Sequence, residues 1–215
     1  MRRGLVLLGI VLIFSGGVMA SLAVIRVADF STGDLRQWEE KSFSGNTHYE
    51  LIDSGRGRVL AARTDGAASS LYRKLRIDLN KTPYINWSWQ VKNTFSNNDE
   101  RSKEGDDYPA RVYVVVSGGL FFWKTRAISY VWSSHQPAGS QWPNAFTSYA
   151  HMLAVRSGDK QLGEWIEEKR NVREDFQKLF GMDTSHVDIV AIMVDGDNTL
   201  QSAEASFGDI WFSAD

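Results

Sequence analysis

The segment YINWSWQV at residues 84–91 alternates apolar and polar side chains without interruption. Successive side chains of a β-strand point to opposite faces, so this pattern predicts a strand with one apolar face and one hydrogen-bonding face. Trp87 and Trp89 share the apolar face with aliphatic residues, which predicts that both rings lie in a core rather than forming a platform for sugar stacking. The opposite face is the better ligand surface, and it carries Asn86, Ser88 and Gln90.

Similar alternation recurs along the chain in short runs separated by Gly, Asn, Asp and Ser. One helix is predicted after Asn171, which caps it together with Glu174, and Gly181 ends it. A single short helix cannot supply the crossovers of a parallel sheet. The predicted fold is therefore all-β, an antiparallel, jelly-roll-like β-sandwich with one short helix. The predicted strands cover residues 24–30, 48–52, 58–64, 70–78, 84–91, 110–117, 127–133, 151–156, 187–194 and 205–212.

The N-terminal residues have the parts of an export signal. Arg2 and Arg3 form a basic start, residues 5–14 form an apolar run, and residues 18–20 offer cleavage positions. The run is shorter than the roughly 20 residues that span a bilayer. We therefore predict a signal peptide at residues 1–20 and a single β-sandwich domain at residues 21–215, with an uncleaved anchor as the alternative. The mature protein is expected to be periplasmic or secreted, without a stable membrane span.

Composition excludes several classes of function. The chain has no cysteine, so disulfides, thiolate nucleophiles and thiolate metal ligands are excluded. A formal net charge of −2 leaves no basic footprint for nucleic acid, and no nucleic-acid partner is expected. The 43% of hydrophobic residues can fill a sizeable core, to which the many aromatic rings contribute large apolar area.

A guanidinium and two aspartates surround the start of another predicted strand. In residues 110–117, alternation places Arg111 and Tyr113 on one side and valines on the other. Arg111 either pairs with a carboxylate, for which Asp106 and Asp107 are nearby in sequence, or contacts an anionic ligand. The structural ion pair is the favoured interpretation.

The strand at residues 127–133 has no plainly apolar face and leads to His135. If Tyr130 and Trp132 lie on the same sheet face as Asn86 and Arg111, they form a groove with an aromatic floor and polar walls. If they point inward, they are ordinary core residues.

The sequence Asp195-Gly196-Asp197-Asn198 spaces oxygen ligands as a calcium loop does, but no glutamate completes it and no helices flank it. A tight turn is the favoured interpretation. Should this loop meet Asp106 and Asp107, the cluster needs either a cation or the guanidinium of Arg111 to balance its charge, and proximity in sequence favours Arg111. The histidines have no zinc spacing and no Gly-x-Ser-x-Gly elbow occurs. We therefore expect no cofactor, with calcium as the alternative.

An ordered series of motifs resembles a bacterial family of exported domains of unknown function, DUF3047. The motifs are GDDYPARVY at residues 105–113, YVWSS at 130–134, EKRNV at 168–172 and IMVDGDNT at 192–199, leading to GDI at 208–210. The likeness covers roughly residues 30–212. It implies a periplasmic or secreted bacterial protein and no established activity.

A weaker resemblance, carried by Asp29-Phe30 with Gly33 and Trp38 and by the GDI motif, is to carbohydrate-binding jelly-roll modules. That resemblance implies a structural calcium between the first and last strands. Near Phe30, however, this sequence shows no complete ligand set.

These observations predict a non-catalytic binding module of the cell envelope, for a glycan or another polar envelope component. One alternative is a polysaccharide-acting enzyme, a hydrolase or lyase, with Asp106 or Asp107 as acid or base. Another is a structural or partner-binding envelope protein, recognised by an exposed apolar patch and no cleft. The candidate ligand-binding residues are Asn86, Ser88, Gln90, Asp106, Asp107, Arg111, Tyr113, Tyr130, Trp132 and His135, and the weaker metal candidates are Asp195, Asp197 and Asn198.

Overall fold

The computed structural model describes residues 23–215, so the predicted signal peptide at residues 1–20 lies outside the described residues. The described strands are β1 Val24–Ala28, β2 Glu39–Ser44, β3 His48–Ser54, β4 Gly57–Asp65, β5 Ala68–Asp78, β6 Tyr84–Val91, β7 Ala110–Val116, β8 Arg126–Ser133, β9 Gln141–Pro143, β10 Ala150–Ser157, β11 Ile166–Asn171, β12 His186–Asp195 and β13 Ser202–Ser213. The α-helix α1 spans Val172–Phe180, and short 3-10 turns lie at Phe30–Thr32, Lys103–Gly105 and Phe122–Lys124.

The strands form two sheets, which confirms the predicted β-sandwich. The six-stranded sheet has the order β11-β6-β13-β4-β3, with β1 paired to β13, and the seven-stranded sheet has the order β2-β5-β12-β7-β8-β10-β9. The expectation of purely antiparallel pairing is wrong at one place, because β8 and β10 run parallel. Their connection passes through β9, which pairs antiparallel with β10 at the sheet edge and so allows β10 to return in the direction of β8.

Every predicted strand is present, and the strands that sequence patterns miss are β2, β9 and β11. All three lie at a sheet edge. The β2 sequence EEKSFS is exposed at every position, and β11 carries charged residues at most of its positions. The three-residue β9 ends in Pro143, which an edge strand tolerates. Few positions of these three strands are buried, so apolar and polar residues do not alternate clearly along them.

Aromatic rings fill the space between the sheets. Trp87 and Trp89 are 1% and 0% exposed, which confirms their prediction as core residues. The ring of Trp87 stacks on Tyr130 at 5.4 Å between centroids, and Trp89 meets Trp132 edge-on at 5.9 Å. Tryptophan side chains on β6 therefore pack directly against aromatic side chains on β8, and they hold the two sheets together.

The helix has the predicted caps and is tied to the core through one carboxylate. The side chain of Asn171 accepts a hydrogen bond from the Glu174 amide at 3.2 Å, and its own amide nitrogen donates to Glu174 Oε1 at 2.8 Å. Gly181 takes the left-handed conformation, with φ of 64°, that ends many helices. Buried Asp175 accepts hydrogen bonds from Tyr130 Oη and Arg170 Nε, both at 3.0 Å, so the helix packs in a fixed position beside β8.

Candidate functional site

The polar residues expected to form one groove lie on opposite sides of the sandwich. Asn86, Ser88 and Gln90 point away from the core of the six-stranded sheet, on β6, whereas Arg111 and Tyr113 point away from the core of the seven-stranded sheet, on β7. The groove that combines them is therefore wrong. On β6, Asn86 donates to Ser213 Oγ at 3.0 Å and Gln90 donates to the Gly163 carbonyl at 2.6 Å. Both side chains thus serve contacts within the sheet and its flanking loop.

Of the two alternatives for Tyr130 and Trp132, the structure supports the second, because both rings are core residues buried between the sheets, at 0% and 1% exposure, and so do not form a floor for a ligand. Trp132 Nε1 donates to the Gly158 carbonyl at 3.1 Å. His135 is exposed in the loop that follows β8 and does not line the cleft described below. These residues support the fold rather than a ligand surface.

A long loop, residues 93–109, covers part of the outer face of the seven-stranded sheet and is fixed there by Glu100. The fully buried Glu100 carboxylate accepts hydrogen bonds from the Ser133 hydroxyl and, at 2.6 Å, from the Ser134 amide. Its carbonyl accepts from Tyr108 Oη at 2.9 Å and from Trp142 Nε1 at 3.2 Å. Burial raises the pKa of the Glu100 carboxyl, while the hydrogen bonds from Ser133 and Ser134 to it oppose the shift. Glu100 therefore joins the long loop to the segment after β8.

Under this loop lies a second apolar cluster, separate from the core between the sheets. Its members are Tyr108, Val131, Trp142, Met152 and Ala154. The rings of Tyr108 and Trp142 stack at 6.4 Å between centroids. This cluster explains why β8 shows no plainly apolar face in the sequence, since one side of the strand faces the core and the other faces the covering loop.

Arg111 lies at the centre of an ion-pair cluster at the start of β7. The guanidinium is 4% exposed. It makes a two-point contact with Asp195, with Nε donating to Oδ1 at 2.7 Å and Nη2 donating to Oδ2. Nη2 also donates to the Asp106 carbonyl at 2.6 Å, Nη1 donates to Tyr113 Oη at 3.0 Å, and the guanidinium carbon lies 4.3 Å from the centroid of the Tyr108 ring. The predicted cluster is present, and Asp195 is its main carboxylate.

The two acidic loops meet at this point, so the condition under which Arg111 was expected to balance their charge is fulfilled. Asp107 is fully buried, and its carboxylate accepts hydrogen bonds from the Asn198 amide at 3.2 Å and the Thr199 amide at 2.6 Å. It therefore fixes the tight turn that follows β12. Carboxylate oxygens of Asp107, Asp195 and Asp197 lie within 4.8 Å of one another.

The hydrogen bonds that these carboxylates already accept fit a calcium ion poorly. Both oxygens of Asp195 already accept from Arg111, and both oxygens of Asp107 accept backbone amides. Asp197 is the remaining carboxylate of the group. Since a calcium site needs six to eight oxygen ligands, we keep the guanidinium as the balancing cation of the cluster.

Beside the cluster, the outer face of the seven-stranded sheet holds a cleft with a volume of about 390 Å³. Its polar wall contains Asp106, whose Oδ2 accepts a hydrogen bond from Asn144 Nδ2 at 2.7 Å. The Oδ1 atom of Asp106 is buried and accepts no hydrogen bond from any residue in the described range. Phe43 and Phe146, which are 58% and 55% exposed, stand in the apolar walls. The lining residues are Phe43, Ala68, Asp106, Arg111, Tyr113, Asn144, Phe146, Ala150, Met152, Met193, Asp195, Asp197 and Asn198.

Two carboxyl groups of the cleft have perturbed acidities. Burial raises the pKa of Asp106, and the attraction of Arg111 offsets this only in part. Burial and the neighbouring Asp107 carboxylate raise the pKa of Asp197. Removing carboxylates from water disfavours their charged form, and like charges add to the effect. The cleft therefore holds carboxyl groups that bind protons more tightly than free aspartate does.

Sequence reasoning missed the apolar half of this cleft. Phe43 lies on the unpredicted edge strand β2, while Asn144 and Phe146 follow the unpredicted β9. The sequence signal available was the length of the segment after β8, which is longer than a hairpin requires and contains Trp142 and Pro143. Four of the ligand-binding candidates from the sequence do meet here, with Asp106, Arg111 and Tyr113 in the lining and Asp107 behind it. The three metal candidates, Asp195, Asp197 and Asn198, also line the cleft.

The two-sheet β-sandwich described above is similar in fold to solved structures of carbohydrate-binding modules. The chain is similar to the family 30 carbohydrate-binding module of the cellulosomal cellulase Cel9D-Cel44B of Clostridium thermocellum, with a TM-score of 0.54 and 11% identity over 90% of this chain and 99% of that chain. It is also similar to the family 11 module of the cellulase Lic26A-Cel5E of Clostridium thermocellum, with a TM-score of 0.50 and 11% identity over 90% of this chain and 95% of that one. At such identities the likeness concerns the fold.

The chain belongs to the family described as protein of unknown function, DUF3047, whose model matches residues 36–211. This confirms the family resemblance of the motifs. No curated protein matches the chain. The described part of the chain offers no helix suited to spanning a bilayer.

Proposed function

We propose that the protein is a periplasmic or secreted, non-catalytic module that binds a glycan of the cell envelope in the cleft beside Arg111. The observation that carries the proposal is the composition of the cleft. Exposed rings of Phe43 and Phe146 line the same cleft as oxygen-bearing side chains, among them Asp106 and Asn198. Sugar rings present apolar faces and hydroxyl edges, and this combination of surfaces complements both.

The volume of the cleft and the fixed position of a residue in its wall fit a short segment of a polymer as the ligand. A volume of about 390 Å³ lies within the range of ligand sites in proteins, roughly 300 to 1,000 Å³. Asp106 lines the cleft and is positioned by Asn144, so its carboxylate can accept a hydrogen bond from a ligand hydroxyl there.

The charges of the lining favour a neutral glycan over an anionic one. Among the lining residues, three carboxylates, those of Asp106, Asp195 and Asp197, stand against the single guanidinium of Arg111. At the rim, Lys41 and Lys103 lie 5.0 and 5.6 Å from the ring centroids of Phe43 and Phe146 and balance the remaining charge. The two-point contact with Asp195 neutralises that guanidinium within the cluster. Like charges at a binding surface suppress the wrong partners. Uronate-containing or phosphorylated polymers are thus poorer candidates than uncharged ones.

A binding screen of the protein against soluble neutral glycans, uronate-containing polymers and cell-wall fragments, followed by calorimetry, tests the proposal. We expect Phe146→Ala and Asp106→Ala each to weaken binding of the best ligand by about tenfold, which corresponds to about 1.4 kcal/mol. Gln90→Ala, on the outer face of the six-stranded sheet, is the matched control and should leave the affinity unchanged. Loss of binding in Gln90→Ala alone would move the site to the other sheet, and absence of any glycan ligand would overturn the proposal.

The raised pKa values of Asp106 and Asp197 favour a second candidate, a polysaccharide hydrolase or lyase that uses one of them as general acid. Asp107, the other carboxylate considered from the sequence, is fully buried and holds backbone amides, so we assign it no part in that chemistry. Release of new chain ends from a bound polymer, lost in Asp197→Asn, would select the enzyme. Binding without turnover selects the module.

A further inference from the structure

The hairpin between β7 and β8, residues 117–125, exposes large apolar side chains. Leu120 is 94% exposed, Phe121 is 49% exposed and Trp123 is 47% exposed. The rings of Phe121 and Trp123 meet edge-on at 5.2 Å between centroids, so they form one contiguous apolar tip. Scattered single apolar residues on a surface need no explanation, but a contiguous group marks an interaction site. The glycan-binding cleft does not include this tip.

The backbone of this apolar hairpin satisfies many of its own polar groups. The Phe121 amide donates to the Gly118 carbonyl at 3.0 Å, and the Lys124 amide donates to the Phe121 carbonyl at 2.8 Å. The Gly118 amide donates to Thr125 Oγ1 at 3.1 Å. A segment that enters a region poor in water must pair its backbone groups internally. The hairpin meets that condition at its turn.

Cations stand directly behind the tip. Lys124 Nζ lies 4.9 Å from the centroid of the Phe121 ring. The guanidinium of Arg126 lies 5.1 Å from the ring centroid of Tyr149, and its Nη1 donates to the Trp123 carbonyl at 2.8 Å. The sequence SGGLFFWKTRA at residues 117–127 contains no acidic residue. Aromatic and apolar groups at a tip, with basic groups one layer behind, match the acyl and phosphate layers of an anionic bilayer surface.

We propose that the apolar hairpin docks the protein onto the surface of an anionic lipid bilayer, with Leu120 and Phe121 in the acyl boundary and Lys124 near the lipid phosphates. A protein partner fits the observations less well. The tip offers three large described side chains, whereas a standard protein interface takes about 800 Å² from each partner. The hairpin starts at the end of β7 opposite to Arg111, so docking through it places the ion-pair cluster at the far end of that strand.

Because the chain contains no cysteine, a single introduced cysteine is the one site that a thiol-reactive fluorophore labels. The single variants Leu120→Cys and Leu200→Cys are labelled with an environment-sensitive fluorophore and mixed with vesicles of phosphatidylcholine containing phosphatidylglycerol. Leu200 is the matched control, since it is 79% exposed in the turn before β13. We expect a blue shift and a rise in emission for the label at position 120 and no change for the label at position 200. Equal responses at the two positions, or none at either, would overturn the proposal.

Sedimentation with the same vesicles separates insertion from charge attraction. Leu120→Asp should weaken binding by about tenfold or more, because it removes an apolar side chain from the acyl boundary and places a charge there. Lys124→Gln should weaken binding by about fivefold on anionic vesicles and have little effect on pure phosphatidylcholine. Leu200→Asp should bind as the unaltered protein does. Binding that depends on Lys124 but not on Leu120 would show attraction to phosphate groups alone and would contradict insertion. Since Leu120 is 94% exposed, its replacement leaves the fold intact, which a melting curve verifies.

Discussion

Replacing Arg111 by alanine removes the cation from the buried cluster and leaves its carboxylates behind. The guanidinium is 4% exposed and its partner Asp195 is 2% exposed, so no solvent replaces the lost contact. Removal of one partner from a buried ion pair costs about 3 to 5 kcal/mol, because the other charge stays buried without compensation. For a domain of 150 to 250 residues each kcal/mol lowers Tm by about 2 to 4 °C, so we expect Arg111→Ala to melt about 6 to 20 °C lower.

An exposed ion pair with the same two-point geometry is the control for Arg111→Ala, because it differs from the Arg111–Asp195 pair mainly in burial. Arg36 contacts Asp34 through two nitrogens, with Nε to Oδ1 at 3.0 Å and Nη2 to Oδ2 at 2.8 Å, but the arginine side chain is 88% exposed. Exposed pairs contribute little to stability, so Arg36→Ala should melt close to the unaltered protein. The assay is circular dichroism during heating for both variants. Equal, small losses in the two variants would refute the view that Arg111 holds the loops together.

The pH dependence of the same variant gives a second readout. Without the guanidinium, the buried Asp195 carboxyl is expected to take a raised pKa. A carboxyl with a raised pKa in the folded state binds protons more tightly when folded, so its cost is present at high pH and is relieved as pH falls. The Tm deficit of Arg111→Ala should therefore shrink between pH 8 and pH 5. The double variant Arg111→Ala/Asp195→Ala should recover part of the loss at every pH.

Three further outcomes follow from the structure. Asp106→Asn should raise Tm at neutral pH, because burial raises the pKa of Asp106 and its charged form is the costly one. The gain in Tm should vanish toward low pH, where Asp106 itself is protonated. A difference in Tm between the two proteins that stays constant across pH would contradict this. Trp89→Ala should cost about 3 to 5 kcal/mol by urea unfolding, since the ring is fully buried against Trp132, while Trp165→Ala, at a partly exposed position, should cost less. Titration of chelator-treated protein with calcium should leave Tm nearly constant, because Arg111 occupies both oxygens of Asp195; micromolar binding with a large rise in Tm would show that a cation, and not the guanidinium, completes the cluster.

The sequence predicts which side of a strand faces the core but not which sheet the strand joins. Alternation in residues 84–91 and 110–117 correctly separates the side chains that face the core between the sheets from those that point away from it. It cannot show that the outward side chains Asn86 and Arg111 lie on different sheets, because that depends on pairings between distant segments. For the same reason no local pattern indicates that Asp195 lies opposite Arg111, although charge balance predicts that the two acidic loops need a cation.

The other features that the sequence did not predict have the same physical origin. Their burial depends on distant segments of the chain, so it leaves no periodic pattern in the local sequence. Strand β8 is covered on both sides, so Tyr130 and Trp132 cannot be assigned from alternation. The edge strands β2 and β9 are short or exposed, so Phe43 and the segment at Asn144 were not expected near a site. By contrast, the caps of α1 depend on neighbouring residues alone, and Asn171 and Gly181 were predicted correctly.

The hydrogen bonds of Glu100 form a clasp between two parts of the chain, and this clasp reduces the conformational entropy that the cleft loses when a ligand binds. Asp106 lies in the loop at residues 93–109 and Phe146 follows β9. Glu100 connects that loop to Ser134 and to Trp142 in β9 before any ligand arrives. Ordering a flexible side chain on binding costs about 0.5 to 1.5 kcal/mol, and the clasp removes part of that loss from the walls of the cleft. A cleft held open in this way discriminates among ligands by shape. Loosening it through Glu100→Gln should therefore broaden the set of bound glycans as well as lower affinity for the best one.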